Sequence, residues 1–317
     1  MKLIIANLEA LRRYVTREFY FLMTELMRTY GWKHIETRRL WNGAGSVRHK
    51  LIEEFGEIPE TILFLEVYEF MQAHEKEIDR LDSRKFFFTD DLNCRTEQMR
   101  QMKSVSFGLC DTILSTYGYV WNRFYPEFRG AKKVVWVPHS ASPDFLLPYN
   151  HHPENAIFLS GALTRHYPLR RQMKFLHEQS LYAIAYHSHP GYHCRYDYNN
   201  NEDIGRAYAR RINSYRAGFT DSLLYEYVVA KYFEIPAAGA LLFADDAVSG
   251  PLRELGFIEN EHYLPVSKDN LEARIQYVLD ESNHDELDCV RRKGQELVWQ
   301  RHKTSDRARQ IDEACRN

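Results

Sequence analysis

The chain has 317 residues, 44% of them hydrophobic and 27% charged, which suits two domains of roughly 150 residues better than one core. Lys and Arg number 42 against 44 Asp and Glu; a formal charge of -2 provides no overall basic field, and no nucleic-acid partner is expected. No apolar run reaches the ~18 residues of a membrane helix, and MKLIIANLEALRR has too short an apolar core for a signal peptide. Five scattered cysteines without a CxxC pair read as reduced thiols, so a cytoplasmic location is expected.

In chain order, short apolar runs recur at 2–8, 61–67, 85–89, 112–116 and 134–137. Helical pattern lies between them, as over 17–30, where Phe21, Leu22, Leu26 and Met27 share one face. This alternation predicts βαβ units on a parallel sheet. Pro143, Pro148 and Pro153 interrupt the periodicity within 138–155, which predicts a hinge and a boundary between domains 1–150 and 151–317. The alternation then restarts, with strands at 156–160, 181–186, 217–220, 240–243 and near 263–266. Helices are expected over 169–178, 204–215, 229–235, 249–255 and 271–279, followed by charged helices over 286–299 and 305–315, the last capped by Thr304. The fold class is therefore α/β: two Rossmann-like doubly wound domains facing a cleft, with ligands at the carboxyl ends of the strands.

Four constellations carry candidate chemistry. In AIFLSGALTRHYPLRRQM, a strand runs into Ser160-Gly161-Ala162 and then a helix opened by Pro168. Backbone N–H groups of such a turn can approach a phosphate, with Arg165 and Arg170 adding positive charge; an ordinary βα turn with surface arginines is the bland alternative. In KYFEIPAAGALLFADD, Lys231 and Glu234 lie three apart on one helical face, and Pro236 and Gly239 are expected to force a tight turn into the next strand. Ala237, Ala238 and Gly239 are small enough for a ligand to lie on the backbone, and a carboxylate such as Glu234, expected exposed, can accept hydrogen bonds from the vicinal hydroxyls of a ribose. A structural Lys–Glu pair is the alternative there. YHSHPGYHC brings His187, His189, His193 and Cys194 close in sequence, but the spacing is irregular and no second cluster completes a zinc set, so no metal ligand is assigned. FFFTDDLN puts Asp90 and Asp91 at the end of a strand, where one can act as general base and one as a helix cap; DD is not the DxD of a metal-dependent site. His139, after VVWVP, is the other base candidate.

KYFEIPAAGALLFADD, followed by PLRELGFIENEHYLPV and a charged helix ending in RHKTSDRARQI, resembles the carboxyl-terminal half of GT-B glycosyltransferases. It is most similar to the group related to spore maturation protein CgeB and the glycosyl transferases group 1 domains. SGALTRHYPLR and YHSHPGYH look like the first two strand-loop segments of that half, so the resemblance covers about 156–315. It implies a sugar transferred from a nucleoside diphosphate sugar to a hydroxyl of a glycan or other acceptor, with no resident cofactor and no metal. Arg165, Arg170 and Lys231 would then meet the diphosphate and Glu234 the ribose. Gly161, Ala238 and Gly239 would lie under the nucleotide, His189 or Tyr192 would touch donor or acceptor, and Asp90, Asp91 or His139 would serve the acceptor hydroxyl. The resemblance further implies that the last helix packs back on the amino-terminal domain. A GT-B sugar-nucleotide epimerase and a non-catalytic nucleotide- or sugar-binding protein are the rival readings.

Overall fold

The computed structural model describes residues 1–41, 46–193 and 195–316. They divide into two compact units. The first comprises Met1–Arg12, Phe19–Pro138 and Arg307–Asn317, the second Arg13–Glu18 and His139–Asp306.

In the first unit, β1 (Lys2–Ala6), β2 (Lys33–Glu36), β3 (Thr61–Leu65), β4 (Arg84–Thr89), β5 (Thr112–Ser115) and β6 (Lys133–Trp136) form a parallel sheet in the order β2-β1-β3-β4-β5-β6. The central strands TILFL and RKFFFT are buried nearly throughout, as expected of a sheet covered on both faces. Leu22 and Leu26 pack there against Ile4, Leu63 and Phe88, joined by Ala308 and Ile311 of the helix Thr304–Arg316. That last segment is fixed by Asp312, fully buried, which accepts hydrogen bonds from Trp32 Nε1 (2.8 Å) and from Lys2 Nζ.

The second unit is a parallel sheet in the order β11-β10-β9-β7-β8, built from β7 (Glu154–Ser160), β8 (Ile184–His187), β9 (Tyr215–Thr220), β10 (Leu241–Asp245) and β11 (Leu264–Val266). Its core joins Ile157, Leu159, Phe219 and Phe243 to Met173 and Leu176 of the helix Pro168–Glu178 and to Ile275 and Val278 of the helix Leu271–Leu279. The strand order reverses at β7, whose neighbours are β8 on one side and β9 on the other. Helices leaving those strands diverge there, and the carboxyl end of β7 is a place where a ligand reaches the backbone.

Candidate functional site

β7 ends at Ser160, and Gly161 makes the turn with φ 107, a region open to glycine. A Cβ at Gly161 would lie 2.8 Å from Arg170 Nη1 and 3.2 Å from Lys231 Cε, so two cations approach this backbone closely. Arg170 does not present its charge outward. It is 2% exposed, its guanidinium pairs with Asp221 at 3.0 Å, and its Nη1 donates to the Ala162 carbonyl at 3.1 Å. The Arg170 backbone N–H also donates to Asp221 Oδ2 at 3.0 Å. Burial pushes the Asp221 carboxyl up, and the Arg170 charge opposes that shift. Arg170 therefore braces the turn, whereas Arg165 is exposed.

Lys231 opens the helix Lys231–Ala237 and reaches back to the same turn. Its Nζ donates to Ser160 Oγ at 3.2 Å and to the Tyr208 hydroxyl, and Tyr208 and Ser160 are themselves hydrogen-bonded at 2.6 Å. Tyr208 comes from the helix Gly205–Ser214, 48 residues from Ser160 and 23 from Lys231. No local sequence pattern links residues so far apart, and sequence reasoning missed Tyr208.

Glu234 is 7% exposed, not the open carboxylate expected from the sequence. Among the described residues its carboxylate makes no hydrogen bond or ion pair, so no Lys231–Glu234 pair forms. Burial lifts its pKa from 4.5 to about 7, held back by Lys231 and His139 and pushed further by Glu18 and Asp144. His139 is likewise buried, at 5% exposure, and its Nδ1 is 2.8 Å from the Glu18 carboxylate, which also accepts from the Ser140 N–H at 2.6 Å. Glu18, unmarked in the sequence, thus orients the imidazole. Asp144 is held by two contacts of 2.8 and 2.9 Å from Arg17, whose guanidinium stacks 3.7 Å over the Tyr198 ring.

The Ala238–Gly239 turn departs from its expected role. Pro236 does not break the chain but lies in the last turn of the helix, and Gly239, at φ 85, ends it, its N–H donating to the Pro236 carbonyl at 2.9 Å. Ala238 is fully buried, Asn213 donates to its carbonyl at 2.6 Å, and Arg291 donates to the Gly239 carbonyl at 2.8 Å. A Cβ at Gly239 would stand 3.1 Å from Gln295 Nε2. The small residues serve close packing within the unit, and no open backbone shelf is formed.

After β8, His189 accepts from the Gly191 N–H through Nδ1 at 2.9 Å, and its ring lies 4.3 Å from that of Tyr192, which is 59% exposed. Burial, with the charges of Lys231 and Arg170, lowers the His189 pKa to about 4, so the imidazole is neutral near pH 7. Cys194 lies outside the described residues. No group of three or more His, Cys, Asp or Glu among the described residues is arranged to hold a metal ion.

The remaining candidates stand in the first unit. Asp90 follows β4 and accepts from Thr116 Oγ1 at 2.8 Å, while its N–H donates to Glu66 at 2.9 Å; Asp91 is exposed. Glu66, at the end of β3, was not singled out from sequence, yet it shares with Asp90 and Thr116 the carboxyl ends of three adjacent strands.

Residues 170–313 match a family model described as glycosyl transferase-like. Among solved structures, the chain is similar to the Anabaena protein HepE in complex with UDP-glucose, at 9% identity over 99% of both chains with a TM-score of 0.60. An alpha-glucosyltransferase in complex with UDP and a 13-mer DNA matches over 100% of both chains, at 11% identity and a TM-score of 0.64. This is the GT-B fold. The pneumococcal O-GlcNAc transferase GtfA, in complex with UDP and GlcNAc, gives a TM-score of 0.53 at 10% identity; 86% of this chain is covered but only 59% of GtfA. No curated protein matches the chain in sequence. Identities of this size establish GT-B architecture without assigning a substrate.

Proposed function

We propose that this chain is a glycosyltransferase that moves a sugar from a nucleoside diphosphate sugar to a hydroxyl of a glycan or other acceptor. The observation that carries the reading is the pair on the helix Lys231–Ala237: an ammonium aimed at the turn after β7, and one helical turn on, a buried carboxylate without a protein partner. A nearly buried carboxylate with no protein donor depends on solvent or a ligand for its hydrogen bonds, and the vicinal hydroxyls of a ribose can supply them. Lys231 and the exposed Arg165 are the cations for the diphosphate, on which negative charge grows as the glycosidic bond breaks. They fill the role a divalent metal plays in other transferases, and no metal requirement is proposed. The similarity to proteins complexed with UDP and UDP-glucose supports uridine as the donor base. DNA is not carried over from the second of these, because a net charge of -2 supplies no basic field for it. Asp90, with Glu66 and Thr116 beside it, is the proposed acceptor-side base. His139, buried and oriented by Glu18, is the other proposed base.

The test is incubation with UDP-, GDP-, dTDP- and CMP-sugars, with and without EDTA, following donor hydrolysis and transfer to oligosaccharides. Donor consumption that survives EDTA and falls sharply but measurably in Lys231→Ala supports the reading. A donor merely converted to its epimer, or bound without turnover, replaces it with one of the rival activities.

A further inference from the structure

We infer that Tyr208 is a positioning residue that sets the Lys231 ammonium over the turn after β7 before a donor arrives. The inference rests on the reading of Lys231 as the diphosphate's cation. Three polar atoms from three separate elements meet at one point: Ser160 Oγ at the end of β7, the Tyr208 hydroxyl from the helix Gly205–Ser214, and Lys231 Nζ from the helix Lys231–Ala237. Lysine carries a compact charge on a flexible four-carbon stem, so its direction must come from what it touches. Of its three N–H donors, two are directed to Ser160 and Tyr208, which leaves one for an anionic oxygen.

The Tyr208 ring is well placed for this role. Phe145 meets it edge-on at 6.1 Å, Phe158 lies 5.9 Å away, and the Lys231 ammonium stands 4.8 Å from the ring centroid. Phe145 and Phe158 are both nearly buried, so the ring and its hydroxyl have little freedom. The same approach that puts Lys231 Cε 3.2 Å from a Cβ at Gly161 puts its charge where a phosphate on that turn would lie. A cation fixed in advance needs no reorganisation when charge develops, and so acts on turnover more than on donor binding.

A double-mutant cycle of Tyr208→Phe and Lys231→Ala tests this, with kcat, donor KM and melting temperature measured for each protein. Tyr208→Phe keeps the ring and removes the hydroxyl. It should lower kcat about 10- to 100-fold with donor KM changed by no more than about threefold. In the Lys231→Ala background, the same change should cost almost nothing further. Tyr208→His, which restores an acceptor, should recover part of the rate. This recovery separates a positioning role from a packing one, should the phenylalanine variant melt early. Equal losses in both backgrounds, or a Tyr208→Phe enzyme with normal kcat, overturn the inference while leaving the function intact. A Lys231→Ala enzyme with normal kcat overturns the role of Lys231 itself, and the inference with it.

Discussion

A carboxyl that is 7% exposed and lifted to about 7 leaves a mark on stability as well as on binding. Between the unfolded value near 4.5 and about 7, folded Glu234 holds a proton that the unfolded chain releases. The stability this contributes is fully present below 4.5 and is lost as pH rises through 7, by an amount on the order of 3 kcal/mol. Glu234→Gln carries no charge to desolvate, so it should match wild type near pH 5 and melt at a higher temperature near pH 8. Donor affinity should move the opposite way. Wild-type affinity should increase from pH 6 to 8 as the carboxylate forms, while Glu234→Gln stays flat and binds roughly 10- to 150-fold more weakly at pH 8. Calorimetric titration beside melting curves reads both, and a variant with unchanged affinity would show that Glu234 does not meet the donor. The two arginines near the turn should separate just as clearly. Arg170→Ala takes the guanidinium away from Asp221, fully buried, leaves it the backbone N–H of residue 170, and should cost about 3 kcal/mol of stability. Arg165→Ala, at an exposed position, should leave the melting temperature alone and weaken donor binding. Equal melting temperatures for the two variants would mean that Arg170 is not the brace.

At the scale of elements, strands buried on both faces were legible because composition alone marks them: TILFL, FFF and LLFA lie where apolar runs place them. β2 was not, because KHIE is a short edge strand in which Ile35 alone is fully buried. The apolar pattern starts a strand at 181, but Leu181 is 58% exposed and β8 begins at Ile184. Pro236 and Gly239 are expected together to turn the chain, but a proline near the end of a seven-residue helix removes only one N–H, and Gly239 alone supplies the stop. At the site, Lys231 with Glu234, three apart, and the Ser160–Gly161 turn each stand out by a local pattern of their own, but only the fold brings Lys231 to Ser160, 71 residues away. The sequence could not supply Tyr208, Glu18, Asp221 or Glu66, whose partners are brought near only by the sheet order. Nor could it tell that the small residues at 237–239 are covered by Gln295, Arg291 and Asn213. The turn itself offers a sharp check. Gly161→Ala places a Cβ at φ 107 and 2.8 Å from a guanidinium that Asp221 and Ala162 hold in place. Relief requires the turn or Arg170 to shift, so a loss of about 1–3 kcal/mol is expected together with weaker donor binding. A fully stable Gly161→Ala that binds donor normally would contradict the close approach.

For the whole molecule, the division of labour between the two units follows from which residues each contains. The first unit borrows 307–317 for its core, and the second takes in 13–18 and everything from 139 to 306. Deleting 307–317 withdraws Asp312 from Trp32 and Lys2 and uncovers the apolar surface under Ala308 and Ile311. Amides of β1 and β2 should then exchange with solvent far faster than in the intact chain. Donor binding is proposed to lie wholly in the second unit, to which Ser160, Gly161, Tyr208, Lys231 and Glu234 all belong. A ligand that binds only the folded state at 100 times its Kd adds ~2.7 kcal/mol, and residues opening through disruption of that site gain the protection. UDP should therefore slow exchange at 160–162, in the helix Gly205–Ser214 and in the helix Lys231–Ala237. Lys231→Ala should reduce this protection, and at pH 8 Glu234→Gln should remove about half of it or more. Protection centred instead on 66–68 and 90–92 would move the nucleotide to the first unit and undo the assignment of Lys231 and Glu234 to the donor.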